Sequence, residues 1–270
     1  MKKQIKEIIT KNGEKVYQIT TLNSRWYAKS VPNEKTGLPD YQFKPSSTWI
    51  ASYVPVSIGL LKWYAEHGYD QAELLKNEAG ERGSKTHKAT EDIDAGKKVK
   101  IDDKYINPTT GKEEELSFQE YHNIMTYINW EKEVKPKLIA SEFNVYADFY
   151  AGTVDRLFLI GDDVWLVDLK TSQSIFLSAI LQISSYKHAL QFDKEIMAKI
   201  KKLGKTVDDV KIATLQIGFR RNKKGYFFKE HPDKFEVFKH SYGLWKDENE
   251  GKSPKQRDYP LYLANKIDKA

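Results

Sequence analysis

The chain has 270 residues, 40% of them hydrophobic and 13% aromatic, which suits a folded globular protein and leaves one elaborated domain as the simplest organisation. It contains no cysteine, which excludes disulfides, cysteine-held zinc and an iron–sulfur cluster. The net charge of +6 permits a polyanionic partner without identifying one. No apolar run approaches the roughly 20 residues that cross a bilayer, and no long apolar segment follows the basic start, so a soluble, cytoplasmic protein with no membrane association is expected.

In chain order, Lys6 to Ile9 and Val16 to Thr20 flank Asn12-Gly13, a dipeptide suited to a tight hairpin turn, and Arg25 to Val31 extends the same sheet. Pro32, Gly37-Leu38-Pro39 and Pro45 signal loops. Ser46, Ser47 or Thr48 caps a short helix through Trp49, Ile50 and Tyr53, limited by Pro55. Ile58 to Glu66 and Gln71 to Asn77 read as helices separated by His67-Gly68. A further helix opens between Gly80 and His87 and continues through Glu91 and Ile93.

Residues 96–115 are polar and turn-rich, a surface excursion, and Phe118 to Val134 returns to a helical pattern. Leu138 to Ala147, Gly152 to Ile160 and Val164 to Leu169 are three β-rich runs. Phe176 to Phe192 reads as a helix, Lys211 to Phe219 and Tyr226 to Lys229 as two strands, Phe235 to Trp245 as a last helix, and the tail is charged. A meander followed by a helical crossover predicts an α/β fold with a mixed central sheet flanked by helices. The expected division is an N-terminal β-hairpin and helical extension over 1–79 and a core over 80–270.

The chemistry concentrates in Gly152-Thr153-Val154-Asp155-Arg156 and Val167-Asp168-Leu169-Lys170-Thr171. Antiparallel neighbours lie about 4.8 Å apart, so Asp155 and Asp168 can converge on one cation. Alternation along the strand puts Asp168 and Lys170 on one face and turns Leu169 into the core. Two carboxylates at the end of a buried strand repel unless protons or a cation compensate them, and Mg²⁺ or Mn²⁺ suits oxygen ligands. Such an ion polarises a phosphoryl oxygen and acidifies water, with Lys170 available to orient or deprotonate that water or to stabilise charge on phosphorus. A plain salt bridge between Lys170 and one of the acids is the competing explanation.

Gly83-x-x-x-His87, Gly152-Thr153-x-Asp155-Arg156, Asp168-x-Lys170-Thr171 and Gln182-x-x-x-Tyr186 together resemble the ordered motifs of PD-(D/E)XK nucleases. More narrowly they are similar to the RecB-like and phage-type exonuclease branch, over a little more than a third of the chain. The resemblance implies a restriction-endonuclease-like core with an N-terminal β/α extension. It also implies metal ligation by His87, Asp155, Asp168 and the Leu169 carbonyl, and a catalytic Lys170. Gln182 and Tyr186, four apart on one helix face, would lie against the active site and the DNA backbone.

Glu142, one strand earlier, falls where many relatives carry an acid that helps hold metal or water; a solvated strand residue is the alternative. Glu91 is a candidate support for His87. Gly83 leaves room beside the imidazole for metal or phosphate, and Arg156 and Thr171 are carried along as supporting residues. Arg220 and Arg221, in a basic turn, are positioned to steer a phosphate backbone. Trp49, Tyr53, Trp63 and Tyr64 are expected in the core rather than stacked on bases.

These expectations amount to a Mg²⁺- or Mn²⁺-dependent deoxyribonuclease without an iron–sulfur cluster, an exonuclease acting in DNA degradation, repair or recombination. DNA is the expected partner, with a recombination or replication protein as a further candidate. A structure-specific endonuclease and a non-catalytic DNA-binding or recombination module on the same fold remain open alternatives.

Overall fold

The computed structural model describes residues 4–9, 15–21, 24–32 and 39–254. The Asn12-Gly13 turn, the Gly37-Leu38 loop signal and the charged tail from residue 255 onward lie outside the described residues. Two sheets organise the chain. The first is an antiparallel meander of β1 (Gln4–Ile9), β2 (Lys15–Thr20), β3 (Arg25–Pro32) and β4 (Pro39–Pro45), in that spatial order. The segment before Pro45, expected as loop, is therefore an edge strand. Proline is tolerated at strand ends and edges, and here it bounds β4 on both sides.

The second sheet has five strands in the order β11-β10-β9-β8-β7. β7 (Lys137–Tyr146), β8 (Ala151–Ile160) and β9 (Asp163–Lys170) form the expected meander. β10 (Lys211–Ile217) returns parallel to β9, and β11 (Tyr226–His231) closes the edge antiparallel to β10. The sheet is mixed, flanked by helices on both faces. The crossover holds two helices, α5 (Leu177–Ala189) and α6 (Lys194–Lys202), where sequence reading expected one. α6 is started by Asp193, whose carboxylate accepts from the Glu195 and Ile196 amides, and it buries Ile196 and Ile200 four residues apart.

Alternation along β9 decides which core each residue joins. Val167 and Leu169 pack with Tyr127 and Trp130 of α4 (Phe118–Val134), and the half-buried Trp165 packs against the same cluster. Val164 and Leu166 face the opposite layer, with Leu181 and Ile183 of α5 and Phe238 and Trp245 of α7 (Phe235–Asn249). α4 starts with a reciprocal capping box between Ser117 and Glu120.

On the α5 face, α1 (Ser47–Ala51), capped by Ser46, inserts Ile50 into the core. Trp49 meets Trp26 and Trp245 edge-on, and Tyr53 packs against the same cluster. Trp63 and Tyr64 do not join it. They lie half-buried on α2 (Ile58–His67), a helix with no buried residue, where Tyr64 donates to Glu73 (2.6 Å).

The two helices expected around residues 71–77 and 80–93 are one: α3 (Tyr69–Asp94) runs through Gly80 and Gly83 without a break. The position between residues 79 and 80 consequently falls inside a helix. The polar excursion that follows carries a small hairpin of β5 (Lys104–Ile106) and β6 (Glu113–Glu115). Lys85 of α3, nearly buried, reaches Glu120 of α4 at 3.0 Å and ties these elements together. Among the described residues no helix is long and apolar enough to cross a membrane.

Gly152 sets how closely α5 approaches the sheet, because a Cβ there would stand 2.3 Å from Cε1 of the buried Tyr186. Gly152→Ala is expected to destabilise the protein by about 1–3 kcal/mol as Tyr186 is displaced. Urea denaturation checks this, and a midpoint unchanged from wild type would contradict the packing described.

Candidate active site

A cavity of about 570 Å³ opens where β8 and β9 end, walled by α3 on one side and by the N-terminal meander on the other. The β8–β9 ladder runs as far as Arg156 opposite Val167, one residue short of the two acids. Beyond it the Leu169 amide donates to Asp155 Oδ2 (2.8 Å), so the carboxylate takes the place of a ladder carbonyl and is fixed by the strand it faces.

His87 enters from α3. Its Nε2 lies 2.9 Å from the Leu169 carbonyl, which can only accept, so Nε2 is the donor in that contact. Nδ1 faces Asp155 Oδ2 at 3.7 Å. Glu142 completes the group: His87, Glu142 and Asp155 each offer one ligand atom, all within 4.8 Å of one another. Glu142 holds a positive φ of 46° within β7, a backbone state that costs energy for any side chain but glycine. A solvated strand residue gains nothing from that conformation; here it accompanies an inward carboxylate, 29% exposed, held by Arg156 Nη1 at 3.0 Å.

Asp168 is 2% exposed and pairs with Lys170 Nζ at 2.7 Å, standing apart from the three grouped donors. The salt bridge considered from sequence is therefore present, and Lys170 also lines the cavity. The Leu169 carbonyl borders the cavity while accepting from His87.

Gln182 donates to the Tyr186 hydroxyl (2.8 Å), and both line the wall formed by α5. Gly83 and Thr171 line it as well; a Cβ on Gly83 would only reach ordinary contact with Thr171 Oγ1, 3.4 Å away. Glu91 lines the cavity and pairs with Lys88 (2.6 Å) rather than with His87.

Arg156 is 1% exposed and turned away from the cavity, so it supports the site from behind. Arg220 and Arg221 are exposed in the β10–β11 turn and do not line the cavity. That turn is fastened to the segment after Lys170: Gln173 donates to the Gly218 carbonyl (2.9 Å) and accepts from the Arg220 amide (2.9 Å).

Sequence reasoning missed the contribution of the first sheet. Gln18, Arg25 and Tyr27 line the cavity, and the Tyr27 hydroxyl is 3.0 Å from Thr153 Oγ1. No motif marks these residues, because their proximity depends on how the meander docks. Thr90 and Asp94 were missed too, although steps of three residues from His87 to Thr90 and four from Thr90 to Asp94 place them on its helix face.

Burial raises the Glu142 carboxyl to about 7, reinforced by Asp155 and opposed by Arg156. Burial likewise raises Asp168 to about 6, against the pull of Lys170. For Lys170, burial works against the ammonium, but Asp168 and Asp155 outweigh it and hold its pKa above the ordinary value. Lys170 is thus a fixed positive charge near neutral pH, suited to stabilising an anion and not to abstracting a proton.

One imidazole nitrogen and two carboxylates form a donor set that fits Mn²⁺ or Mg²⁺. The raised Glu142 marks a position where added positive charge would be favourable. No family model matches the chain, and no curated protein matches it.

A carboxyl whose folded pKa is raised favours folding at pH values below its unfolded pKa and loses that contribution as pH rises through the folded value. In EDTA, the Glu142 contribution therefore declines between about pH 4.5 and 7. Glu142→Gln mimics the protonated form and is expected to melt higher than wild type at pH 8, with the difference shrinking at pH 5. Thermal melts across that range test this; a difference independent of pH would contradict it.

Proposed function

We propose that the chain is a metal-dependent deoxyribonuclease of the PD-(D/E)XK type, with a restriction-endonuclease-like core and an N-terminal β/α extension. The observation that carries the reading is the clustering of His87, Glu142 and Asp155 within 4.8 Å, in the cavity that Lys170 also lines. The ordered motifs from Gly83 to Tyr186 supply the family, and the exonuclease preference rests on that resemblance.

In this reading His87 Nδ1, Glu142 and Asp155 hold Mg²⁺ or Mn²⁺. The bound ion supplies Lewis acidity toward a phosphoryl oxygen and a water. The Leu169 carbonyl fixes the imidazole so that Nδ1 stays turned toward Asp155. The Leu169 amide orients the Asp155 carboxylate. Lys170, kept cationic by Asp168, stabilises negative charge building on the phosphoryl oxygens and positions the water.

Gln182 contacts the DNA backbone from α5 with the buried Tyr186 behind it, and the exposed Arg220 and Arg221 draw in phosphates from the neighbouring turn. The substrate is DNA, with a recombination or replication protein as a further partner.

The test is degradation of end-labelled linear duplex and single-stranded DNA, and of closed circular DNA, with Mg²⁺, Mn²⁺ or EDTA. Linear DNA is expected to be lost only with metal. Asp155→Ala and Lys170→Ala should each reduce the rate by at least about a hundredfold. Cleavage of closed circles would replace the exonuclease with an endonuclease. No cleavage with any metal, with DNA binding retained, would overturn the enzyme and leave a binding module.

A further inference from the structure

The three grouped donors are not held alike. Asp155 is fixed by the Leu169 amide and His87 by the Leu169 carbonyl, both backbone groups of β9. Glu142 has a left-handed backbone, and its carboxylate accepts from the Arg156 guanidinium at 3.0 Å. Arg156 cannot hold it unaided, because a guanidinium 1% exposed needs partners for its own donors.

Those partners come from the end of α3. Asp94 pairs with Arg156 Nε. The Thr90 hydroxyl accepts from Nη2 at 3.2 Å while donating to the His87 carbonyl at 2.9 Å. The Asp155 carbonyl accepts from Nη1 at 2.9 Å. His87, Thr90 and Asp94 form one stripe of α3 at spacings of three and four. The helix that brings the imidazole to the cavity thus also grips the arginine that grips Glu142.

We infer that Thr90, Asp94 and Arg156 are positioning residues of the cation site, acting through Glu142. None of the three lines the cavity, so none touches substrate or ion. The assignment rests on the cation reading above, and its test is direct Mn²⁺ binding, without DNA, by titration calorimetry and by electron paramagnetic resonance of free Mn²⁺.

Thr90→Val keeps the buried volume and removes the hydroxyl, whereas Thr90→Ser restores it. Removing an outer partner of a metal ligand weakens metal binding by about tenfold or more. Thr90→Val and Asp94→Asn are expected to weaken Mn²⁺ binding to that degree, with Thr90→Ser close to wild type.

In a Glu142→Ala background Thr90→Val should cost nothing further, because the route runs through Glu142. Circular dichroism and melting in EDTA establish that each variant folds; if Asp94→Asn does not, the Thr90 pair decides. Mn²⁺ affinity of Thr90→Val within about twofold of wild type would overturn the inference, as would an equal loss in the Glu142→Ala background. A wild-type protein that binds no Mn²⁺ would instead overturn the cation reading itself.

Discussion

Burying an arginine is costly. Its charge is stripped of water, and the guanidinium's five N–H donors all need acceptors that lie in one plane. Arg156 is nonetheless almost wholly inaccessible, and it is paired with carboxylates from α3 and β7 and donates to a carbonyl of its own strand. Removing Asp94, the partner buried together with it, leaves the guanidinium uncompensated, a change that destabilises by about 3–5 kcal/mol in buried pairs. The docking of α3 against the sheet is therefore fixed at one place and in one rotation. That rotation aims His87 at the ends of β8 and β9.

Acids crowd this region. Burial raises Asp94 despite Arg156, and it lifts Glu131 to about 7 with Asp94 adding to the effect. Glu142 and Asp168 are raised as well. Arg156 opposes the charge on Asp94, Glu131 and Glu142, and Lys170 is committed to Asp168. The arrangement therefore accepts further positive charge readily, either as protons on the carboxyls or as a cation among the three grouped donors.

Much of this was legible, for identifiable reasons. The meander, the crossover and α4 follow from alternation, helical periodicity and a capping box, all local signals. Asp168 and Lys170 share a face because strand side chains alternate, and the structure places them 2.7 Å apart. Glu142 could not be resolved from sequence, because its orientation depends on a positive φ that no residue type announces. α6 was legible but overlooked: Asp193 followed by Ile196 and Ile200 is a cap and an apolar stripe. β4 was misread because its prolines are also loop residues, and only the pairing with β3 makes them strand ends.

The first sheet was the least legible part of the site, and the reason is geometric. Its contribution passes through single side chains on widely separated segments, such as the Tyr27 hydroxyl against Thr153, 126 residues later. Thr153 also donates to Asn144 (2.9 Å), so the contact continues across β8 into β7, the strand that carries Glu142. Lys44 at the end of β4 reaches the Ala147 carbonyl (2.5 Å), and the Ser46 bridge to Ala151 carries the chain across to β8. The meander is thus hydrogen-bonded to the strands that carry the donors, on the side opposite α3. Two elements far apart in sequence hold the ends of β7 and β8 between them, so the cavity arises only when both are docked.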